Sequence, residues 1–519
     1  FSTVCLIEMW ERFGFYGMQA LIIYYMIQRL DFKDSPAYLT WGAAAALIYI
    51  SPAIGGWVGD KFLGTRHTML LGACVLTLGY ALMVIPAGNA TFLFLALGVI
   101  VVGNGLFKAN AGNLVRKIYE GDDSKIDSAF TIYYMAVNVG STISMLVTPI
   151  IKNYFNAPFH GQLTWLLGSN APKLFGIGLG WHIAFAVCCV GLLVGLGNYL
   201  VMRHTLNFIG SEPDHQPLKL WKLAAVIAGG IVVVFISAIV FKYGNVARIF
   251  VYVAGAGVLA IFAWLITHSH RSEKAGLIIA LVLVIETIVF FLFYQQTSTS
   301  LNVFALRNVD PEFRLFGMHL FSWDPAQFQS LDPIWIFILS PILAFIYTHF
   351  GKRGKDLSIA AKFALGFLSV GISFFIFGAA GHFTTTPGKA SQWVMVSGYS
   401  FFSLGELMTS GLGLAFIARY VPARIGGFMM GAYYVGLGIA MYLGGMIATA
   451  ASVPSNITNP VQTMPIYTGL FTRLGVAGII CAILALAVLP VMRRLDAQHA
   501  AHAAAKPELE GMPTVATEQ

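Results

Sequence analysis

Charged residues are scarce in this chain of 519 residues. Only 10% are Asp, Glu, Lys or Arg, whereas 57% are hydrophobic. A soluble globular chain carries about 25% charged residues, so the composition excludes a soluble protein and indicates an integral membrane protein. The apolar runs are long and do not alternate at every second residue, so they predict an all-α bundle and not a barrel of strands.

Cysteine is also rare, and its spacing gives no support for a metal centre. The five cysteines lie in apolar segments without a repeated CxxC pattern, and we interpret them as small buried hydrophobic residues. The net charge of +8 comes from basic residues in short loops and not from a basic stripe with interleaved aromatics. We therefore expect membrane lipid, and no nucleic acid, around the chain.

Fourteen apolar runs are long enough to cross a bilayer of about 30 Å as helices. They lie near residues 4–28, 38–58, 67–86, 91–115, 128–150, 181–202, 219–242, 248–268, 275–298, 333–350, 358–382, 391–418, 424–450 and 468–492. This pattern predicts three membrane units and a tail: a six-helix half (1–203), a linker with two extra helices (204–270), a second six-helix half (271–494), and a disordered Ala/His-rich segment (495–519).

Lys and Arg are distributed unevenly between the two sets of loops. With both termini in the cytoplasm, about 19 of them face inwards and about 10 face outwards, which satisfies the positive-inside rule. We therefore expect a multi-pass protein with cytoplasmic termini. The hydrophilic stretches 151–179 and 303–332 would then lie outside, where they either fold over the mouth of the bundle or only connect spans.

A group of charges interrupts the first apolar run. Glu8 precedes Glu11 by three residues and Arg12 by four, and Glu11 and Arg12 are adjacent. The three side chains therefore share one face of a helix. Each unpaired charge at mid-membrane would cost roughly 2.5–3.5 kcal/mol on insertion scales. Two interpretations remain open: an interfacial cluster that snorkels towards headgroups, and a proton and substrate site inside a transporter.

Two further charges lie within apolar runs. Lys108 is midway along the fourth run, and Glu406 lies in the second half. Lys108 and Arg12 together offer positive charge for a carboxylate, which Arg can bind through two hydrogen bonds. Glu406 could hold an ammonium, so opposite charges on opposite halves suit a short peptide. The alternative for Lys108 is a structural ion pair with Glu8 or Glu11.

The connection between the second and third runs combines small and charged residues. The glycines that begin at Gly55 permit close helix approach, while Asp60 and Arg66 can pair across the turn. This segment resembles the loop motif of the major facilitator superfamily, in which such a pair helps to close the inner face. The alternative is a solvated loop whose charges only set the topology.

Five motifs in order resemble signatures of the proton-dependent oligopeptide transporter family within that superfamily. They are residues 8–17, which match ExxERFxYYG except for Phe15, and residues 55–66, 105–110, 130–142 and 403–410. The resemblance covers about residues 4–492. It implies two six-helix halves that alternate access, and proton-coupled uptake of di- and tripeptides through the bacterial inner membrane. The proton would be the coupling ion, with no other cofactor, and a monomer would be the functional unit.

The resemblance also implies roles for individual residues. Arg12 and Lys108 would bind the peptide carboxylate, and Glu406 with Asn138 would bind the amine. The peptide site would be lined by Tyr16, Tyr49 and Ser410, and Glu8 and Glu11 would couple protons. Glu286 belongs to no motif; it is either a further proton-coupling acid or a buried acid paired with the backbone or a neighbouring helix.

The chain departs from many family members at a presumed outer gate. Where those members pair an Arg with an acid, this sequence has Gln19 and Gln295. Such a neutral pair can form hydrogen bonds but cannot be broken by protonation. Proton coupling would then depend more heavily on Glu8, Glu11 and Glu286.

Other functions remain as alternatives. A transporter of another small anion such as nitrate could dispense with Glu406, and a drug/proton antiporter would also fit the bundle. The sequence contains no HExxH motif, no GxSxG motif in a strand–turn–helix context, and no paired aspartates in facing spans, so we expect no enzyme.

Overall fold

The structure is a computed structural model that describes residues 1–120, 123–156, 178–315, 318–353, 357–409, 417 and 419–510. The first half contains α1 (Ser2–Gln28), α2 (Asp34–Trp57), α3 (Thr65–Val84), α4 (Ala90–Ile118), α5 (Asp123–Asn156) and α6 (Leu179–Met202). The linker forms α7 (Leu220–Lys242) and α8 (Gly244–His268). The second half contains α9 (Arg271–Ser298), α10 (Ser300–Asn308), α11 (Leu331–Gly351), α12 (Ile359–Gly378), α13 (Gln392–Thr409), α14 (Ala423–Ala448) and α15 (Pro460–Glu510).

Each of the fourteen predicted spans coincides with a long helix. Within the described residues, twelve helical segments are long and apolar enough to cross a membrane. The helices α1 and α13, which are 27 and 18 residues long, fall outside that set and carry the buried acids of the predicted site. The prediction of an all-α membrane protein is therefore confirmed.

The last helix is longer than the sequence suggested. The tail was expected to be disordered from residue 495, but α15 continues to Glu510, so the prediction is wrong for residues 495–510. The reason is local, because this stretch is rich in Ala, the residue with the highest helix propensity. Residues 511–519 of the predicted tail lie outside the described residues.

The two linker helices lie on the outside of the bundle. Only 11% of the α7 span and 22% of the α8 span are buried. On α4, a Cβ added to Gly98 would lie 2.9 Å from the carbonyl oxygen of Val234 on α7, so glycine permits this close contact. The hydroxyl of Tyr442 on α14 donates to the carbonyl of Gly244 at the start of α8, at 3.0 Å. The linker therefore contacts both halves.

One end of the bundle, here called the loop end, carries the connection between α2 and α3. A π-helical turn (Val58–Leu63) extends α2, and Gly64 then adopts a φ of 98°. A Cβ at Gly55 would lie only 1.9 Å from the carbonyl oxygen of Gly105. The predicted close helix approach at these small residues is confirmed, and the structure shows that the partner helix is α4.

The N-terminus of α3 is capped by a distant loop. Gly64 occupies the cap position and has no side chain, so the oxygens come from the 3₁₀ turn Glu212–His215 and the residue before it. The Asp214 carboxylate accepts from the backbone amide of Arg66 at 3.1 Å, and Ser211 Oγ accepts from that of Thr65 at 3.0 Å. An anion at a helix N-terminus is favoured by the helix dipole, so Asp214 fixes α3 to the loop that follows α6.

The predicted ion pair between Asp60 and Arg66 is wrong. Asp60 is exposed and accepts from the side-chain amide of Asn113 on α4, at 2.6 Å. The guanidinium of Arg66 instead donates to the carbonyls of Leu206 and Asp214, both at 2.9 Å. The two residues are close in sequence, but the π-helical turn separates their side chains. The loop after α6 provides the hydrogen-bond acceptors for Arg66 instead.

The opposite end, here called the hairpin end, is covered by the segment between α10 and α11. Strand β1 (Glu312–Leu315) pairs antiparallel with β2 (Met318–Ser322), and β3 (Thr384–Thr386) pairs with β4 (Lys389–Ala390). A 3₁₀ helix (Pro325–Ser330) follows β2 and contacts α1 and α5. Of the two possibilities left open for residues 303–332, the covering role is therefore the one observed. Most of the other stretch, residues 157–177, lies outside the described residues.

Two ion pairs fasten the hairpin end. Arg307 on α10 binds Asp34 at the start of α2 through two contacts, Nη1 to Oδ2 at 2.5 Å and Nη2 to Oδ1 at 2.8 Å. Lys152 on α5 lies 3.0 Å from Asp324, just before the 3₁₀ helix. Both pairs connect the first half to the second, so they hold the halves together at this end.

We expect Asp214→Asn to lower the free energy of unfolding by about 0.3–1 kcal/mol at neutral pH, because the amide keeps an acceptor oxygen but loses the negative charge that the helix N-terminus favours. Burial alone would raise the pKa of Asp214, but hydrogen bonds from His67 and from backbone amides lower it overall. Wild type is therefore more stable than the variant by the full amount above the pKa that Asp has in the unfolded chain. This difference in stability disappears as the pH falls through the lower pKa that Asp214 has in the folded protein. Thermal unfolding in detergent across this pH range measures the difference in stability between the two proteins. Glu212→Gln, an exposed neighbour in the same turn, is the control, and equal losses in both variants would contradict the capping role.

We expect Asp34→Asn to loosen the hairpin end, because it leaves Arg307 without its charged partner. The effect should be about 1–3 kcal/mol, and we measure it as the thiol-labelling rate of Gln295→Cys, a buried position, in a background without native cysteines. If the free energy needed to open the hairpin end falls by about 1.4 kcal/mol, the thiol-labelling rate should rise about tenfold. Lys33→Gln, which removes an adjacent exposed charge, is the control. An unchanged labelling rate would show that the pair does not hold the end closed.

Candidate functional site

The charges of α1 are fully inside the bundle. Glu8, Glu11 and Arg12 are 1%, 0% and 2% exposed. Arg12 Nε binds the Glu11 carboxylate directly and lies 3.5 Å from Glu8 Oε1. The snorkelling alternative is therefore wrong: the charges pair with one another inside the bundle, although Glu8 Oε2 and Glu11 Oε1 are buried without a hydrogen-bond partner among the described residues.

Neighbouring helices contribute hydrogen bonds to this cluster. Arg12 Nη2 donates to Asn104 Oδ1 on α4 at 3.1 Å, and the Asn104 amide donates to the carbonyl of Ile48 on α2 at 2.9 Å. The hydroxyl of Tyr133 on α5 is hydrogen-bonded to Glu8. Sequence reasoning missed both Asn104 and Tyr133, although a polar residue within an apolar run was a signal for Asn104 and the fourth motif contained Tyr133.

A small cavity lies beside Arg12, between the two halves. Its lining residues are Arg12, Phe15, Ile48, Tyr49, Pro52 and Lys108 from the first half and Tyr434 from the second. The ammonium of Lys108 lies 5.6 Å from the centre of the Tyr49 ring. Lys108 forms no ion pair within 4 Å with any residue that the structure describes, so the predicted structural pair with Glu8 or Glu11 is not formed.

Glu406 on α13 lies in a second polar cluster, in the other half. Its side chain is hydrogen-bonded to Asp332 in the first turn of α11. Ser403 Oγ, one turn before Glu406, donates to Asp332 Oδ1 at 2.5 Å. Both acids are buried. Sequence reasoning missed Asp332, because it is the last residue of the hydrophilic segment 303–332 and was taken as part of that loop.

Tyrosines connect the basic and acidic clusters. Tyr16 on α1 is hydrogen-bonded to Tyr294 on α9, and its hydroxyl lies within electrostatic range of both Arg12 and Glu406. Tyr49 is likewise within range of these two charges. The structure thus brings Tyr16 and Tyr49 into range of a cationic and an anionic pole, and their role in lining a peptide site stays a prediction.

The remaining predicted residues are placed as follows. Asn138 is buried, and its amide donates to the carbonyl of Tyr134 on the same helix at 2.9 Å. Glu286 is half-buried on α9 and lies near Cys481 of α15, and it is not among the residues that line the cavity. Ser410 lies outside the described residues.

The two glutamines of the expected outer gate do not form a hydrogen-bonded pair among the residues that the structure describes. Gln19 and Gln295 are both buried. The side chain of Gln295 packs against Gly444 on α14, where an added Cβ would lie 2.5 Å from the Gln295 Cβ. The ion pairs of Asp34 with Arg307 and of Lys152 with Asp324 lie at the hairpin end.

The arrangement can bind a small molecule that has charges of opposite sign at its two ends. Arg12 and Lys108 provide donors for a carboxylate, and Asp332 and Glu406 provide acceptors for an ammonium. The described residues contain no group of three or more side chains suited to hold a metal ion.

Comparison with known proteins identifies the family. The profile of the POT family (PTR2) matches residues 66–466. Dipeptide and tripeptide permease B of Aliivibrio fischeri (strain MJ11) is 39% identical over 496 residues, which cover 95% of this chain and 94% of the permease. The protein of the same name from Edwardsiella piscicida is 40% identical over 499 residues, or 95% of both chains.

Solved structures give the same result. Tetrameric PepTSo2 in the P4212 crystal form is 60% identical, has a TM-score of 0.84, and covers 95% of this chain and 98% of its own. The peptide transporter POT in complex with sulfate is 27% identical with a TM-score of 0.75, over 95% and 94% of the two chains. The expected major facilitator fold is confirmed by these similarities, and the chain belongs to the POT family.

Proposed function

We propose that this protein carries di- and tripeptides into the cell by alternating access, driven by protons. The observation that carries the proposal is the pair of opposite poles on opposing halves, with Tyr16 and Tyr49 between them. Relatives at 39–40% identity over nearly the whole chain bear the name dipeptide and tripeptide permease B. A peptide zwitterion is the substrate whose two charged ends match both poles.

The cationic pole would bind the peptide carboxylate. Lys108 already lines the cavity without an ion pair among the described residues, whereas Arg12 is occupied by Glu8 and Glu11. Protonation of either glutamate would weaken that pair and free the guanidinium for a bidentate contact with the substrate. Loss of the proton on the cytoplasmic side would restore the pair and expel the peptide.

This exchange couples the proton gradient to peptide accumulation. Each charge that crosses the membrane potential contributes about 2.3 kcal/mol per 100 mV, so one proton supports roughly fiftyfold accumulation. Because the glutamines at positions 19 and 295 cannot ionise, the coupling acids would be Glu8 and Glu11. Glu286 is the weaker candidate, since it does not line the cavity.

The proposed site of action is the bacterial inner membrane, with both termini in the cytoplasm as the distribution of basic loops indicates. The hairpin end would then face outwards, closed by its two ion pairs, and the peptide would leave through the loop end. We propose that the monomer is the functional unit, because both poles belong to one chain. The tetramer of PepTSo2 is compatible with four such independent pathways.

We expect labelled Ala-Ala to accumulate roughly fiftyfold in proteoliposomes at an inward-directed proton-motive force of 100 mV, and to equilibrate only when the gradient is absent. Glu8→Gln and Glu11→Gln should each lose gradient-driven accumulation by about tenfold or more, because a neutral side chain has no proton to exchange. Both should retain peptide counterflow, which needs no net proton movement. Glu286→Gln, measured in parallel, should keep most of the accumulation. Accumulation by wild type without a gradient would contradict symport.

We expect Glu406→Gln to weaken Ala-Ala binding by about 1.5–3 kcal/mol, the value of a hydrogen bond to a charged group. Propionyl-alanine, which has the carboxylate but not the amine, should bind both proteins with equal affinity. Isothermal titration gives both values. If Glu406→Gln left binding and uptake of Ala-Ala unchanged, the substrate would be a simple anion and not a peptide zwitterion.

A further inference from the structure

A basic and aromatic surface lies at the loop end of the bundle, and no step of the proposed transport cycle uses it. This surface, here called the basic flank, comes from the end of α2, the π-helical turn and the start of α7. Its members are Trp57, Lys61, Phe62, Lys219, Trp221 and Lys222. Trp57 and Trp221 are 60% and 61% exposed, and Lys61 and Lys219 are also exposed. The flank is therefore accessible to a partner outside the bundle.

Phe62 lies at the centre of the basic flank and connects its two elements. The Phe62 ring stacks on Trp57 with 6.2 Å between ring centres, and it meets Trp221 edge to face at 5.7 Å. The ammonium of Lys222 donates to the carbonyl of Phe62 at 3.0 Å and lies 5.2 Å from the centre of its ring. These contacts hold the two tryptophans and Lys222 in one arrangement across α2 and α7.

The polar side-chain groups of the basic flank are all hydrogen-bond donors. Lysine ammonium and indole N–H groups donate and cannot accept. Lys61, Lys219 and Lys222 form no ion pair with any acid that the structure describes. Asp60, which precedes Lys61 directly, accepts instead from the side-chain amide of Asn113 on α4. The flank therefore keeps its positive charge and suits an anion that offers acceptor oxygens.

Exposed apolar side chains continue from the basic flank along the membrane helices. Only 11% of the α7 span is buried, and Leu220, next to Trp221, is 77% exposed. Near the end of α2, Ile54 is 62% exposed. Tryptophan is typical of the level where headgroups meet acyl chains, and the long stem of lysine reaches from apolar surface to headgroups. The surface thus fits a ligand with an anionic head and an apolar tail.

We propose that the basic flank binds the headgroup of an anionic phospholipid, with the acyl chains along α7. Basic surfaces between membrane helices on the cytoplasmic side are suited to anionic lipids, and the loop end is cytoplasmic in the proposed orientation. A phospholipid matches both parts of the surface, whereas free phosphate matches only the lysines. The bound lipid links α2 to α7 and holds the linker against the first half. This binding is independent of the substrate that the protein carries.

The experiment compares two phospholipids that differ in headgroup charge. We expect full-length wild type in detergent to bind dioleoylphosphatidylglycerol about tenfold or more tightly than dioleoylphosphatidylcholine, which has the same acyl chains and no net charge. The variant Lys61→Gln/Lys219→Gln/Lys222→Gln should lower the affinity for phosphatidylglycerol about tenfold or more, because each lysine near anionic lipid contributes about fivefold. Native mass spectrometry at increasing lipid concentration gives these affinities.

The matched control is Lys274→Gln/Lys352→Gln/Arg353→Gln, which removes three positive charges from the loop end of the second half. It should keep the wild-type affinity for phosphatidylglycerol. An equal loss in both triple variants would overturn the proposal, because lipid binding would then depend on net charge alone. Displacement of phosphatidylglycerol by inorganic phosphate would also overturn it, since the site would then recognise phosphate without acyl chains.

Two measurements keep the proposal testable if the triple variant of the flank does not fold. Equal affinity of wild type for the two phospholipids would overturn the proposal without any variant. The double variant Lys61→Gln/Lys219→Gln changes only exposed side chains and leaves the contact of Lys222 with Phe62 in place. It should bind phosphatidylglycerol about fivefold or more weakly than wild type, and an unchanged affinity would contradict the assignment of the site.

Discussion

The burial of Arg12 beside two glutamates is the constraint on which the first half depends. A guanidinium inside a membrane bundle must be fully paired, and this one uses Glu8 and Glu11 on its own helix and Asn104 on α4. Asn104 in turn binds the backbone of α2. A change in the ionisation of one glutamate therefore alters contacts among three helices at once. The ion pairs that lower the cost of burying these charges therefore also make the packing of this half depend on the protonation of Glu8 and Glu11.

Much of the fold could be predicted, because the bilayer requires long apolar helices and these are visible in sequence. Each expected span coincides with a helix, and close helix approach at the glycines that begin at Gly55 was foreseen from small residues alone, although its partner Gly105 was not. The tail was mispredicted, because the lack of an apolar stripe was taken as disorder whereas Ala-rich sequence favours helix. The Asp60 and Arg66 pair failed for a different reason: the partner of Arg66 lies about 150 residues later in the chain, beyond the reach of spacing arguments.

The residues of the candidate site could likewise be predicted only in part. Charges within apolar runs identified Arg12, Lys108 and Glu406, because their cost in a membrane makes them conspicuous. Asp332 and Asp34 escaped notice, since each lies next to a polar loop where an acid is ordinary. Only the tertiary structure shows that Asp332 turns inwards to Glu406 and that Asp34 meets Arg307. The glutamines at positions 19 and 295 were correctly seen as unable to ionise, but the ion pairs at the hairpin end were not anticipated.

The linker helices have a mechanical consequence for a protein whose halves rock against each other. α7 packs chiefly against α4 and α2, and α8 packs chiefly against α14 and α9. They are joined by a very short turn, between Lys242 and Gly244. Any rotation of one half relative to the other must therefore be absorbed at that turn or by sliding of α7 against α8. We therefore expect the pair to limit how far the two halves can separate.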